Sequence, residues 1–133
     1  MKTKIFISLP VADLPRSVAF YQALGYVQNP DFSGDTAACF TFCDEIQVMV
    51  TTHATFLKLS PRPICDTTKF NQVLLCLCLD SRQQVDETVA RAVAAGGTTF
   101  EAAEDHSVMY SHSFIDPDGH GWGLAYMKTP PPK

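Results

Sequence analysis

The sequence predicts an α+β fold of two βαβββ modules forming a half-open, eight-stranded, barrel-like sheet with the helices outside. Three observations carry that prediction. Two amphipathic stripes, each opened by a capping residue and closed by glycine, fall at residues 13–24 and 81–95. Each follows a short β-rich run and precedes three further runs of strand character, so the order β-α-β-β-β occurs twice, as an internal duplication. With one helix to four strands, helices cover one face of each curved sheet and the other faces look toward a cleft.

In order along the chain, Ile5–Leu9 is a β-rich run stopped by Pro10. Asp13 stands where an N-cap carboxylate accepts free helix amides, and Pro15 falls in the first turn, where its missing N–H costs little. Leu14, Val18, Tyr21 and Leu24 form one stripe of period 3.6, and Gly25 supplies the stop. Tyr26-Val27, Ala37–Phe42 and Glu45–Thr52 read as three strands, separated by polar turns at 29–35 and Cys43-Asp44. Residues 53–68 carry Pro61 and Pro63 and read as a connecting segment with room for one helical turn. Val73–Leu79 reads as a buried strand. Ser81 with Gln84 then forms a capping box, Val85, Val89 and Val93 give the buried stripe, and Gly96-Gly97 ends the helix. Thr98–Glu101, Met109–Ile115 and Gly121–Met127 supply the last strands, the final two joined by the turn Asp116-Pro117-Asp118-Gly119. The expected organisation is a single domain over 1–128, with modules at about 1–60 and 70–128 and a disordered Pro-rich tail at 129–133.

A chain of 133 residues is long enough to bury a core without staples. Its net charge of -4, with no basic block, removes the electrostatic footprint of nucleic-acid or anionic-membrane binding. The longest apolar run, Val73–Leu79, falls far short of the roughly 20 residues that span a bilayer. Pro10 and Asp13 cut the stretch after Lys2 and Lys4 below the length of a secretory core, so a cytoplasmic location is expected. Five cysteines, at 39, 43, 65, 76 and 78, lack zinc-site spacing and are expected to be free, mostly buried thiols. Cys76 and Cys78 share one face of their strand. A metal pair is conceivable there, with nothing nearby in sequence to complete it.

Val11-Ala12-Asp13-Leu14, Ser17, Phe20-Tyr21 and Leu24-Gly25-Tyr26 resemble the V-x-D-L-x-x-S-x-x-F-Y-x-x-L-G-F opening of the glyoxalase/bleomycin-resistance/extradiol-dioxygenase superfamily, the vicinal oxygen chelate fold. Phe114-Ile115-Asp116-Pro117-Asp118-Gly119-His120 is similar to its F-x-D-P-D-G-x close. The resemblance implies that ligands of a divalent ion would fall on Phe6, on Asn71 (or Gln72 with a one-residue slip) and on Gly123, with a fourth-strand position near Val48 or Met49. Phe6 and Gly123 cannot coordinate through a side chain, so no ligand set survives. What remains is a cleft of the bleomycin-resistance kind, binding a small molecule with no metal or other cofactor, in a homodimer that covers the sheet edges. Strand parity and the family register give Phe6, Ser8, Met49, Asn71, Val73, Tyr110 and Gly123 as its lining. The alternative is a metal-dependent enzyme, a lyase of the lactoylglutathione type or a dioxygenase, whose metal has moved to His53, His106 or His112 with a carboxylate such as Glu45 or Glu101.

His112 is the catalytic candidate. Tyr110, His112 and Phe114 share one strand face by period 2, and if that face meets the cleft His112 is a base or donor with Tyr110 beside it. The competing reading is a hydrogen-bonded structural histidine. His120 follows the Asp-Pro-Asp-Gly turn and reads as a turn residue, and His106 lies in a polar loop with Glu104 and Asp105. Trp122, adjacent to Gly123, is expected to point away from the cleft and pack under a helix. No nucleophile elbow accompanies Cys39 or Cys43, and Gly96-Gly97 closes a helix, so no phosphate loop is present.

Overall fold

The computed structural model describes residues 2–128; the expected disorder at 129–133 lies outside them. The chain divides into two compact units, residues 1–66 and 67–133. The first contains β1 (Ile5–Val11), α1 (Leu14–Ala23), β2 (Val27–Asn29), β3 (Ala37–Cys43), β4 (Ile46–Thr52) and α2 (His53–Leu59), with a 3-10 turn at Pro30–Phe32. The second contains β5 (Leu74–Leu79), α3 (Arg82–Ala94), β6 (Glu104–Asp105), β7 (Met109–Ile115) and β8 (Gly121–Met127). Their strand orders, β1-β4-β3-β2 and β5-β8-β7-β6, are the same topology. The first and last strands of each module run parallel and the other pairs antiparallel.

Local chemistry explains both main helices. The Asp13 carboxylate accepts the Arg16 N–H at 3.1 Å, Pro15 occupies the first turn, and Gly25 follows the last residues with φ 99°. For α3, Ser81 Oγ accepts the Gln84 N–H at 3.1 Å. The return bond of the expected box closes one residue earlier, from the Asp80 N–H to Gln84 Oε1 at 2.8 Å. Gly96, at φ 105°, ends the helix.

Each buried stripe keeps two of its expected residues, Tyr21 and Leu24 on the first helix and Val85 and Val89 on the second, and shifts to the neighbouring row at the others. On α1 the fully buried residues are Ser17, Phe20 and Tyr21, with Leu24 at its cap, while Leu14 and Val18 are half-buried. On α3 they are Val85, Val89 and Ala92, and Val93 is 48% exposed. A helix presents two adjacent rows to a sheet, and the sheet chooses between them. Phe20 and Tyr21 meet edge to face at 5.1 Å, and Tyr21 tilts against Phe40 at 5.7 Å. In the second unit, Trp122 and Phe114 lie near-parallel at 6.4 Å, both buried, on the strands that α3 covers.

Further expectations are corrected or extended. Thr98–Glu101 is no strand: Thr98 alone bridges to Ile115, and the polar pair Glu104–Asp105 forms the edge against β7. The connecting segment holds the seven-residue helix α2, capped by Thr52 Oγ1, which accepts the Thr55 N–H. Strand β5 is not buried within its unit. Leu75, Leu77 and Leu79 are half-covered on the side of their partners Trp122, Leu124 and Tyr126, whereas Leu74, Cys76 and Cys78 are exposed. The thiols are correspondingly not mostly buried, since only Cys39 is; Cys43, Cys76 and Cys78 are exposed.

The β7–β8 turn is built around Asp116, buried to 3% exposure, whose Oδ1 accepts the N–H groups of Asp118 and His120 at 2.9 Å each. Gly119 completes it at φ 92°. A Cβ at Gly119 would stand 2.3 Å from the Thr67 carbonyl oxygen, and Thr67 Oγ1 donates to the Asp118 carbonyl at 2.6 Å.

Candidate functional site

Each sheet has one face under its helix and one open face, and pairing decides which residues share a face. In the first unit, Leu9, Val11, Val48, Val50 and Phe40 are buried on the α1 side. On the other side lie the cross-strand rows Phe6–Gln47–Thr41 and Ser8–Met49–Cys39. Gln47 Oε1 accepts from Thr41 Oγ1 at 2.9 Å and from Cys39 Sγ at 3.5 Å, and the Phe6 ring stands edge-on to Phe32 at 5.7 Å. Phe6, Ser8 and Met49 thus share one open, mixed-polarity face. The next row, Pro10–Thr51–Ala37, contains Thr51 Oγ1, buried with no hydrogen-bond partner.

In the second unit the expectation for Tyr110 is corrected. Its cross-strand partners place Tyr110, His112 and Phe114 with Tyr126, Leu124 and Trp122, which is the face α3 covers. The Tyr110 hydroxyl donates to Asp86 Oδ1 at 2.5 Å, and the Arg82 guanidinium lies 4.2 Å from its ring centre, both partners being α3 residues. The hydrogen bond to Asp86, more than burial, raises the Tyr110 phenol above its ordinary pKa. His112 Nε2 lies 2.7 Å from the Glu101 carbonyl, which can only accept, so that nitrogen is a donor. It also lies 3.2 Å from Thr99 Oγ1, which in turn reaches the Ser113 carbonyl. His112 therefore fastens the 99–101 loop to β7, an arrangement that favours its structural reading.

The open face of the second sheet carries the row Cys76–Gly123–Ser113, with Cys78 and Ala125 in the next row but one. A Cβ on Gly123 would lie 3.4 Å from Cys76 Sγ, so the thiol leans over the glycine. Ser113 Oγ is buried without a hydrogen-bond partner. Asn71 and Val73 precede β5 and line a cavity of about 700 Å³, together with Lys69, Phe70, Phe100 and Asp116. Sequence reading missed the cavity's aromatic walls and the Ser113 hydroxyl. The one available signal was the Ser111/Ser113 alternation opposite Tyr110, His112 and Phe114.

The other polar candidates do not gather. His53 is an exposed residue at the start of α2, His106 Nε2 lies 2.9 Å from Glu104 on the surface, and His120 is buried in the β7–β8 turn. Among the described residues, no three His, Cys, Asp or Glu side chains form a group able to hold a metal ion. Nor, among them, is any helix long and apolar enough to cross a membrane.

Residues 3–41 match a family described as bleomycin resistance protein-like N-terminal. A hypothetical protein from S. aureus superposes with a TM-score of 0.78 at 25% identity, over 95% of this chain and 94% of that one. A glyoxalase/bleomycin resistance protein/dioxygenase family enzyme from Burkholderia phytofirmans gives 0.77 at 18% identity over 92% and 96%. The fold is that of the glyoxalase/bleomycin resistance/dioxygenase superfamily. The bleomycin resistance determinant of transposon Tn5 shares this vicinal oxygen chelate fold, with a TM-score of 0.67, 19% identity and coverage of 96% and 100%. No curated protein sequence matches the chain.

At two of the positions that the resemblance assigns to metal ligands, Phe6 and Gly123, the side chain carries no donor atom. Phe6 offers a ring, and the space a side chain at Gly123 would enter is edged by Cys76 Sγ. Asn71 lies ahead of β5, in the cavity and not on the strand. Asp13 and Ser81 are equivalent caps, so the residue matching Phe6, seven before its cap, is Leu74, which is also apolar and exposed.

Proposed function

We propose that this vicinal oxygen chelate chain is a small-molecule binding protein of the bleomycin-resistance kind, holding its ligand against an open sheet face without a divalent ion at the superfamily positions. The observation that carries the reading is the pair Phe6 and Gly123, neither of which has a donor atom in its side chain. A divalent ion gives up hydration only when several N or O donors replace it, and Phe6, Leu74 and Gly123 supply none, with the amide of Asn71 lying ahead of β5. The open faces offer instead what organic ligands use: apolar surface from Phe6 and Met49, with a few hydroxyl and amide groups among it.

The working form is a homodimer in the cytoplasm. Support comes from β1 and β5, each one of the two edge strands of its sheet, where Ile5, Phe6 and Leu74 are 50%, 49% and 70% exposed. Unpaired edges with large apolar side chains are normally covered, and a second copy does so symmetrically.

Elemental analysis of the purified protein, joined to a turnover assay with a hemithioacetal and added Ni or Zn, tests the reading. Absence of stoichiometric Ni, Zn, Mn or Fe and of metal-stimulated turnover is expected. Stoichiometric metal abolished by His112→Ala would overturn it in favour of a relocated metal enzyme. Light scattering at micromolar concentration should give twice the mass of one chain, and a monomer would remove the dimer.

A further inference from the structure

The open face of the second sheet carries two thiols that the small-molecule reading leaves unused. Cys76 and Cys78 are both exposed and alternate on one side of β5. Two residues along a strand separates their positions by about 6.6 Å. A disulfide needs Cβ atoms about 3.5–4.5 Å apart, so these thiols cannot join directly without breaking the β5–β8 ladder. An ion bridging two sulfurs in a line, with metal–sulfur bonds of about 2.3 Å, stretches the sulfur–sulfur span from about 2 Å to about 4.6 Å. That extra reach matches the separation an extended strand imposes.

We propose that Cys76 and Cys78 form a two-thiolate site for a soft, linearly coordinated d¹⁰ cation of the Cu(I) or Hg(II) class. Two features beyond the pair support it. Gly123, the cross-strand partner of Cys76, leaves open the space beside its sulfur, where any larger residue would bring atoms closer than the 3.4 Å of a bare Cβ. Across Gly123 in the same row, Ser113 Oγ is buried and unpartnered, a hydroxyl with a hydrogen bond still to make on the face that carries the thiols. Coordination number points the same way: with no group of three or more ligating side chains among the described residues, tetrahedral zinc lacks its donors while a two-coordinate soft ion needs only thiolates. Binding one Cu(I) exchanges two thiol protons for the cation, so proton release accompanies loading.

The inference is independent of the small-molecule reading, because copper retention and organic-ligand binding are measured separately. The fully reduced chain is titrated with Cu(I) under anaerobic conditions against a chromogenic Cu(I) chelator. One equivalent per chain should be retained. Cys76→Ser and Cys78→Ser should each weaken binding by about 100-fold, while Cys43→Ser and Cys65→Ser leave it unchanged. On the unmutated protein, Cu(I) loading should protect Cys76 and Cys78 from iodoacetamide while Cys43 is alkylated, as read by peptide mass spectrometry. Failure to compete with the chelator, unchanged affinity in either serine variant, or protection centred on Cys43 or Cys65 would overturn the proposal.

Discussion

The two modules share their element order and strand order yet fill the space between helix and sheet in opposite ways. In the first, the helix brings the bulk: Phe20 and Tyr21 of α1 are buried against a sheet whose own rings include Phe40. In the second, the sheet brings it: Trp122, Phe114 and Tyr110 project from β7 and β8, and α3 answers with Val85, Val89 and Ala92. The fold constrains the volume enclosed between the layers and is indifferent to which layer supplies it.

The largest effects should follow that division. Trp122→Ala and Phe20→Ala each remove a fully buried aromatic ring and should cost about 3–5 kcal/mol, measured by urea denaturation. Val85→Ala removes two methyl groups and should cost about 2 kcal/mol. A Val85→Ala cost equal to that of Phe20→Ala would break the comparison, because the small residue would then be as decisive as the ring.

Next come the turns. Gly96 and Gly119 both sit at positive φ, but a Cβ at Gly96 meets nothing within 4 Å, whereas one at Gly119 collides with the Thr67 backbone. Gly96→Ala should therefore cost about 1 kcal/mol from conformation alone. Gly119→Ala should cost clearly more, since backbone must move as well. Equal losses in thermal melts would show that the Thr67 contact is not rigid.

Smaller still are the caps. Asp13→Ala and Ser81→Ala should each lose about 1 kcal/mol. Gln84→Ala should lose about 0.5 kcal/mol, because it abolishes the bond to the Asp80 N–H that the first helix has no counterpart for at Arg16.

The mildest test sets two tyrosines against each other by ultraviolet titration. Tyr26, stacked on Phe42 at 3.6 Å, has its phenol pushed up to about 12 by burial, whereas Tyr110 is raised first by its bond to Asp86. A folded pKa above the unfolded one means stability present below about pH 10 and lost as pH rises through the folded value, up to about 12 for Tyr26. Asp86→Asn should lower the Tyr110 titration and leave Tyr26 where it was. If both moved, the two causes would not be separate.

The sequence made the helices legible because capping residues and glycine stops are local signals, as Asp13, Ser81, Gly25 and Gly96 demonstrate. It was less informative about faces. Period 2 sorts Tyr110, His112 and Phe114 onto one side of β7 without saying which side is covered. The strand register decides it: Phe114 pairs with Trp122 across the turn, so with Trp122 under α3 the Tyr110 face lies under α3 as well. The edge pair Glu104–Asp105 was illegible for another reason, since its pairing comes from backbone bonds and salt links to Arg82 and Lys128, with no apolar pattern. Site placement suffered most, because open-face residues such as Ser8, Met49 and Gly123 carry no periodic signature of their own.

The contact between Gly119 and Thr67 also fixes where this chain can be cut. Thr67 precedes β5 by seven residues, yet its carbonyl closes the space above the glycine and its hydroxyl holds the Asp118 carbonyl. The second module therefore begins, in physical terms, at the turn that ends it. A C-terminal fragment started at β5 would lack the strand of backbone that seals its own hairpin. A dissection, permutation or insertion that respects the duplication should place its break at or before Asp66.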